Sequence, residues 1–329
     1  THAISGQITQ DYLQFSQIGQ FGSARMQSMA NAFHSLGGGV TALHLNPAGS
    51  AVNINSKMSL GLSFNNNENL SNYNRLELKS SDDYFGFSHA GGLLIAEQID
   101  QSNPWRKISF GFSTATLKNF DQSIFASGIT DIGLSNYFSR QAQGTALSDL
   151  QLGSNETIGS AYTYLGNTQG RGAQLGLLGY QAYIIDPQNE NGANTNYIVT
   201  SDDQRRQNVY MELGGVIRQF SLNIATQYGE NFYMGMNINS HILRYNRSTN
   251  IQEDALSTTS ILQNLTYNNF ERTSGEGFNV QLGVIYTPGN HWRMSLSYDS
   301  PTWWQLSEES SENLRSSLLI DEGLENYLM

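Results

Sequence analysis

Apolar and polar residues alternate with period two in six windows of the chain. From Lys57 to Phe64, Met58, Leu60, Leu62 and Phe64 share one face while Ser59, Gly61 and Ser63 share the other. Ile108, Phe110 and Phe112 oppose Ser109, Gly111 and Ser113; Phe220, Leu222 and Ile224 oppose Ser221, Asn223 and Ala225. Met234, Met236 and Ile238 oppose Gly235, Asn237 and Asn239, and Phe278, Val280, Leu282, Val284 and Tyr286 oppose Asn279, Gln281 and Gly283. Trp292, Met294, Leu296 and Tyr298 oppose Arg293, Ser295, Ser297 and Asp299. Successive strand side chains point to opposite faces, so each window predicts a strand with one apolar and one small, polar face. A soluble sandwich with its apolar faces inward and a membrane barrel with its apolar faces outward both produce this alternation.

Two details favour the barrel. The polar faces use Ser, Gly, Asn and Gln rather than Lys and Glu, which suits a crowded wet interior better than a free surface. Aromatic residues (Phe64, Trp105, Tyr228, Tyr286, Trp292 and Tyr298) begin or end the apolar faces, as in an interfacial girdle. Short connections at Gly229 to Asn231 and Thr287 to His291 predict tight turns at one rim. The polar segments Ser127 to Gln207, Arg247 to Gly277 (with a helix-like Ile261, Leu262 and Leu265) and Ser307 to Met329 predict long outer loops at the other.

The first fifty residues differ. Ser23 is placed to cap a helix in which Met26, Met29, Ala30, Phe33 and Leu36 recur, and Gly37 to Gly39 would end it. Leu45-Asn46-Pro47-Ala48-Gly49 then predicts a bend before the first strand.

Composition narrows the function. The 329 residues carry a net charge of -11, with 14% charged residues and no Cys. No basic stripe exists to neutralise phosphate, which argues against a nucleic-acid partner. No apolar run is long enough for a spanning helix, a fact that leaves strands free to cross a membrane. The scattered His residues, the absence of a Gly-x-Ser-x-Gly elbow and the lack of a phosphate loop after Gly37 to Gly39 give no catalytic, metal or cofactor site. Asp82-Asp83, Asp202-Asp203 and Glu308-Glu309 read as solvated loop charges.

Phe21-Gly-Ser-Ala-Arg25, Ala30-Asn-Ala-Phe33-His-Ser-Leu-Gly-Gly38 and Asn46-Pro47-Ala48-Gly49 before a first strand resemble the start of the FadL/TodX family of outer-membrane transporters, especially its Bacteroidetes members. Trp105 to Phe112, Asn119 to Ser123 and Ser300-Pro-Thr-Trp-Trp304 extend the resemblance over most of the chain. It implies an all-β, fourteen-stranded transmembrane antiparallel barrel in the bacterial outer membrane, plugged by a small helical hatch. It also implies passive, porin-like transport of hydrophobic compounds such as fatty acids or aromatics, released sideways beside a kinked third strand. On this reading residues 1–52 are the hatch and 53–329 the barrel. Such a barrel needs roughly 400 residues or more, so C-terminal strands are expected to be missing from this chain, or the barrel to be a smaller one of about eight to ten strands. Asn46, Pro47 and Ala48 are then the hatch motif. Phe110, Gly111, Ser113 and Thr114 are the lateral-opening residues, and Phe15, Phe21, Met26, Met29 and Phe33 line the substrate path. Each has a plainer reading, as an ordinary turn, a plain strand and simple packing. The partners are membrane lipid and a hydrophobic small molecule. Two rivals stay open: a non-transporting barrel subunit in an envelope secretion or uptake complex, and a secreted sandwich that binds polysaccharide through exposed Trp and Tyr.

Overall fold

A computed structural model describes residues 9–329 apart from 18, 20, 31, 99–101, 290 and 321–322. Two short helices, α1 (Thr9–Ser16) and α2 (Ala24–Ser28), and two 3-10 turns, Thr41–His44 and Pro47–Ser50, precede the strands β1 (Lys57–Tyr73), β2 (Leu76–Glu97), β3 (Trp105–Asn119) and β4 (Gln122–Thr130). An insertion follows with α3 (Leu134–Ala142), α4 (Leu147–Leu150), α5 (Ile158–Thr168), α6 (Arg171–Gln181) and the small hairpin β5 (Ile185–Pro187) and β6 (Tyr197–Val199). The strands β7 (Arg205–Tyr228), β8 (Phe232–Ala255), β9 (Leu262–Tyr286), β10 (Met294–Asp299), β11 (Trp303–Ile320) and β12 (Gly323–Leu328) complete it.

All but the small hairpin form one antiparallel sheet in the order β1-β2-β3-β7-β8-β9-β11-β12, with β4 beside β7 and β10 beside β9. β3 and β4 lie in line along β7 and are parted at Phe120 and Asp121; β10 and β11 lie in line along β9 and are parted near Pro301. The turn 229–231 and the strand ends at Glu97, Trp105, Tyr286 and Met294 fall at one end, where the N-terminal segment enters β1. At the opposite end stands the 131–204 insertion, together with a two-residue turn in which Asn74 and Arg75 take φ of 47° and 71°. Positive φ at both central residues matches the twist of a tight hairpin.

Three expectations change. Arg247 to Gly277 and Ser307 to Met329 are largely strand, not loop. Polar residues on both faces conceal strands from a period-two search, because these parts rise beyond the apolar zone. Leu262 and Leu265 look helical because an extra residue, Gln263, is accommodated where Ser317 and Leu318 pair with Asn264 and Leu262, and both leucines bury against the insertion. The helix after Ser23 stops at Ser28, and Ala30 turns the chain with φ of 49°.

Burial is inverted relative to a soluble sheet. The register row Leu94, Phe110, Ile224, Met236, Leu282 and Tyr298 crosses six strands, and all six side chains are exposed. On the other face Ser109, Ser221 and Asn237 are 0% exposed. The expected outward set (Phe110, Phe112, Leu282, Val284, Met294 and Leu296) is exposed or half-buried, while Ser109, Gly111, Gln281 and Gly283 are buried and Ser295 and Ser297 half-buried. Three apolar clusters lie on the inner side. Val40, Leu43 and Leu93 form one; Phe21, Met26 and Phe33 with Leu117, Phe120 and Ile217 form the next; the helical insertion against Leu262, Leu265, Tyr267, Leu314 and Leu318 forms the third.

Candidate functional site

The N-terminal segment is seated on an amide ladder. Asn223, Asn237 and Gln281 are neighbours across β7, β8 and β9. Asn223 Nδ2 donates to Asn237 Oδ1 at 2.7 Å, and Asn237 Nδ2 donates to Gln281 Oε1 at 2.8 Å. The same side chains cap the segment's carbonyls. Asn237 donates to Leu43 O (2.7 Å), Gln281 to His44 O (3.1 Å) and Leu45 O (3.0 Å), and Asn223 to Pro47 O (3.0 Å). The 3-10 turn Thr41–His44 leaves the carbonyls of Leu43, His44 and Leu45 at its end, and a buried carbonyl without a donor costs about 1–3 kcal/mol, so Asn237 and Gln281 supply what that turn lacks. Pro47 O also accepts from Ser50 Oγ at 3.2 Å. Ser50 and His44 add bonds to Ser109 and Ser113 on β3, each at 2.8 Å.

Asn46 caps the Pro47 turn by accepting from Ala48 N at 3.0 Å. Its Nδ2 donates to His34 O (3.1 Å) and to Val284 O on β9 (3.2 Å). Asn46 thus meets the backbone of β9, while the contacts to β3 are made by His44 and Ser50. Of the residues named for a substrate path, Phe21, Met26 and Phe33 are buried, Phe15 packs against their cluster and Met29 is exposed. Phe110 faces outward, whereas Gly111, Ser113 and Thr114 are buried; a β-carbon at Gly111 would stand 2.7 Å from Leu93 and 3.3 Å from Leu43, so this glycine admits the segment.

The break in the third strand lies at Phe120 and Asp121, beyond that stretch. β2 pairs with β3 only from His89 to Glu97, and above that point the two part. The edge of β4 is met there by side chains instead of a backbone ladder. Asn67 donates to Asp121 O (2.9 Å), Asn69 (2.8 Å) and Ser80 (2.6 Å) to Ser123 O, Ser71 to Phe125 O, and Asn74 to Ile129 O (2.6 Å). Asp82 accepts from Ser123 N at 2.6 Å and from Ser123 Oγ at 2.8 Å. The β1–β2 hairpin thus closes a seam with polar side chains alone. Periodicity reveals nothing of this, although the Asn- and Ser-rich composition of Asn65 to Asn74 is its trace.

Between the insertion and the inner sheet lies a cavity of about 660 Å³ whose walls include Tyr137, Leu175, Ile251, Tyr267, Arg140, Arg171, Arg247 and Glu271. Arg171 meets Glu312 at 2.5 Å and Glu271 at 3.6 Å, and Arg247 meets Glu271. Tyr162 and Tyr267 both donate to Glu312, at 2.9 and 3.1 Å. Burial, and then the Glu312 carboxylate, raise the Tyr162 phenol above its ordinary pKa, which keeps the donating proton in place. Among the described residues no cluster of His, Asp or Glu has the makings of a metal site. No family model, no curated protein and no solved structure matches the chain.

Proposed function

We propose that the chain is a transmembrane barrel of the bacterial outer membrane, resembling the FadL/TodX transporters, that passes hydrophobic compounds such as fatty acids or aromatics inward without an energy source. The inverted sheet carries this reading: apolar side chains stand exposed on the outer face while Asn, Gln and Ser are buried beneath the N-terminal segment. The apolar band on β9 runs from Phe278 to Tyr286, about 27 Å at 3.4 Å per residue, a span suited to a tilted membrane strand. Trp105, Tyr228, Phe232 and Tyr286 lie in register at one edge of it, with the Trp105 and Tyr228 rings 5.1 Å apart, as interfacial aromatics do. In this reading further strands close the barrel, the segment before Lys57 is the hatch, and the upper cavity receives the substrate between Tyr137, Leu175 and Ile251. Release is sideways into the bilayer, where each buried CH₂ contributes about 0.8 kcal/mol, beside the β3 stretch of Phe110, Gly111, Ser113 and Thr114, which lies at the level of the apolar band.

The test is expression in a host lacking its own long-chain fatty-acid transporter, followed by membrane fractionation and uptake of labelled fatty acid. Uptake above the vector control, with the chain in the outer-membrane fraction, is the expected result. A membrane-inserted chain with no uptake of fatty acids or aromatics favours the non-transporting subunit. Recovery in aqueous buffer without detergent removes the membrane reading.

A further inference from the structure

A second cavity, of about 490 Å³, opens at the break in the third strand, between the end of α1, β1 and residues 118–122. Seven of its eleven lining residues are Asn or Gln. Its charged groups are already engaged with protein: Lys118 donates to Gln14 O at 2.6 Å, Glu68 pairs with Lys79 at 2.7 Å, and Asp121 accepts from Gly215 N at 3.0 Å. The Nδ2 of Asn119 is buried without a partner, a donor beside a polar cavity. Phe120, the one aromatic, turns into the core.

This chemistry selects a ligand. Asn66 gives its Nδ2 to Asp83 and Ser81, and Asn67 and Asn69 each give one Nδ2 proton to Asp121 O and Ser123 O. Their carbonyl oxygens, the second protons of Asn67 and Asn69, the Asn119 Nδ2 and the amides of Gln14, Gln17 and Gln122 line the cavity as mixed donors and acceptors, the pairing that neighbouring hydroxyls of a sugar return. An apolar ligand would leave the Asn119 Nδ2 and the open amide groups unsatisfied, and a phosphate would meet a single cation, Lys118, against the two carboxylates of Glu68 and Asp121. We propose that this cavity binds an uncharged, hydroxyl-rich sugar unit. Its level on the sheet fits. Asn119 pairs with Val216 on β7, four residues beyond Phe220 at the edge of the apolar band, about 13 Å along the strand. A glycolipid head or a free saccharide would meet the protein there with the same hydroxyls.

The proposal concerns binding and stands apart from transport, so it is tested by calorimetry on the full chain in detergent. The probes are lipopolysaccharide and the lipid-free polysaccharide released from it by mild acid. Binding of both, weakened at least tenfold by the combined Asn66→Ala and Gln122→Ala substitutions, assigns a saccharide site. Binding of the intact molecule alone, with the same loss in the variant, assigns a glycolipid head. Leu175→Ala, in the other cavity, should leave either affinity unchanged. Absence of binding to both probes, or an affinity unchanged in a double variant that keeps the wild-type circular dichroism, overturns the proposal.

Discussion

The Oδ1 of Asn46 fills the space that a β-carbon on Gly283 would need, 2.1 Å away. Gly235, the register partner of Gly283, makes the second half of the same notch: a β-carbon there would stand 2.5 Å from the Pro47 carbonyl carbon and 2.6 Å from Ala48 N. The Asn-Pro-Ala turn is thus set into two facing strands. The clash at Gly235 is with backbone, so Gly235→Ala should displace the turn and cost about 1–3 kcal/mol. Limited proteolysis between residues 21 and 53 should accelerate in the folded variant, and small-solute permeability should rise. Wild-type protection would show that the notch is not a seat.

Asn46→Ala removes the cap and both donations, while Asn46→Asp keeps the acceptor and sets a carboxylate against the carbonyls of His34 and Val284. Loss of an Asn cap costs about 0.5–2 kcal/mol. The Asp variant should be the more destabilised of the two, because a buried anion facing acceptors has no compensating donor on that side. Thermal unfolding in detergent checks the order, and uptake of an apolar substrate should change in both. Uptake and permeability equal to wild type in a folded Asn46→Ala protein would remove the turn from gating.

Leu282 is 48% exposed in the middle of the apolar row. Leu282→Arg separates the two architectures that share this alternation. In a bilayer it should cost about 2–4 kcal/mol and deplete the outer-membrane fraction. On a water-exposed sheet it should stay within about 0.5 kcal/mol. Denaturant titration in lipid vesicles reads the difference.

The lower strands were legible because each of their faces has a single environment: Leu222 and Ile224 on one side and Ser221 and Asn223 on the other report the outer surface and the seat separately. The upper strands were not. Asn250, Gln252, Asn268 and Asn269 present polar groups on both faces, and a bulge at Gln263 turned a strand pattern into helical spacing. Gly235 and Gly283 lay in view as small residues, but their meaning depends on a turn some two hundred residues earlier in the chain. The amide ladder is likewise a product of register, which no single window contains.

Glu312 is 1% exposed at its side chain and receives Arg171, Tyr162 and Tyr267. Arg171→Met should leave this buried carboxylate without its cation, a change of about 3–5 kcal/mol for a well-buried pair; with Arg171 itself 41% exposed, the loss should fall below that range. Hydrogen exchange should accelerate in α5 and α6 ahead of β7 to β9. Arg171→Met combined with Glu312→Gln should recover much of the protection. Equal exchange in all three proteins would mean that the pair does not hold the insertion to the sheet.

The seam between the β1–β2 hairpin and β4 stands above the apolar band, since Ser123 pairs with Glu212, eight residues beyond Phe220, about 27 Å along the strand, so it bears on entry rather than on release into the bilayer. Strands that share a backbone ladder part only when many bonds break together, whereas here side chains such as Asn69, Ser80 and Asp82 reach across to Ser123 and can let go by changing rotamer. The chain has no Cys, so Asp82→Cys with Ser123→Cys introduces the only reactive pair. A short bifunctional thiol reagent should join the two positions, since the native side chains touch at 2.8 Å. The linked protein should take up substrate more slowly, because this part of the upper wall can no longer open, and cleavage of the linker should restore uptake. Each single-Cys variant treated with the same reagent controls for the bulk of the adduct. Full uptake through a quantitatively linked seam would show that the seam stays closed during transport.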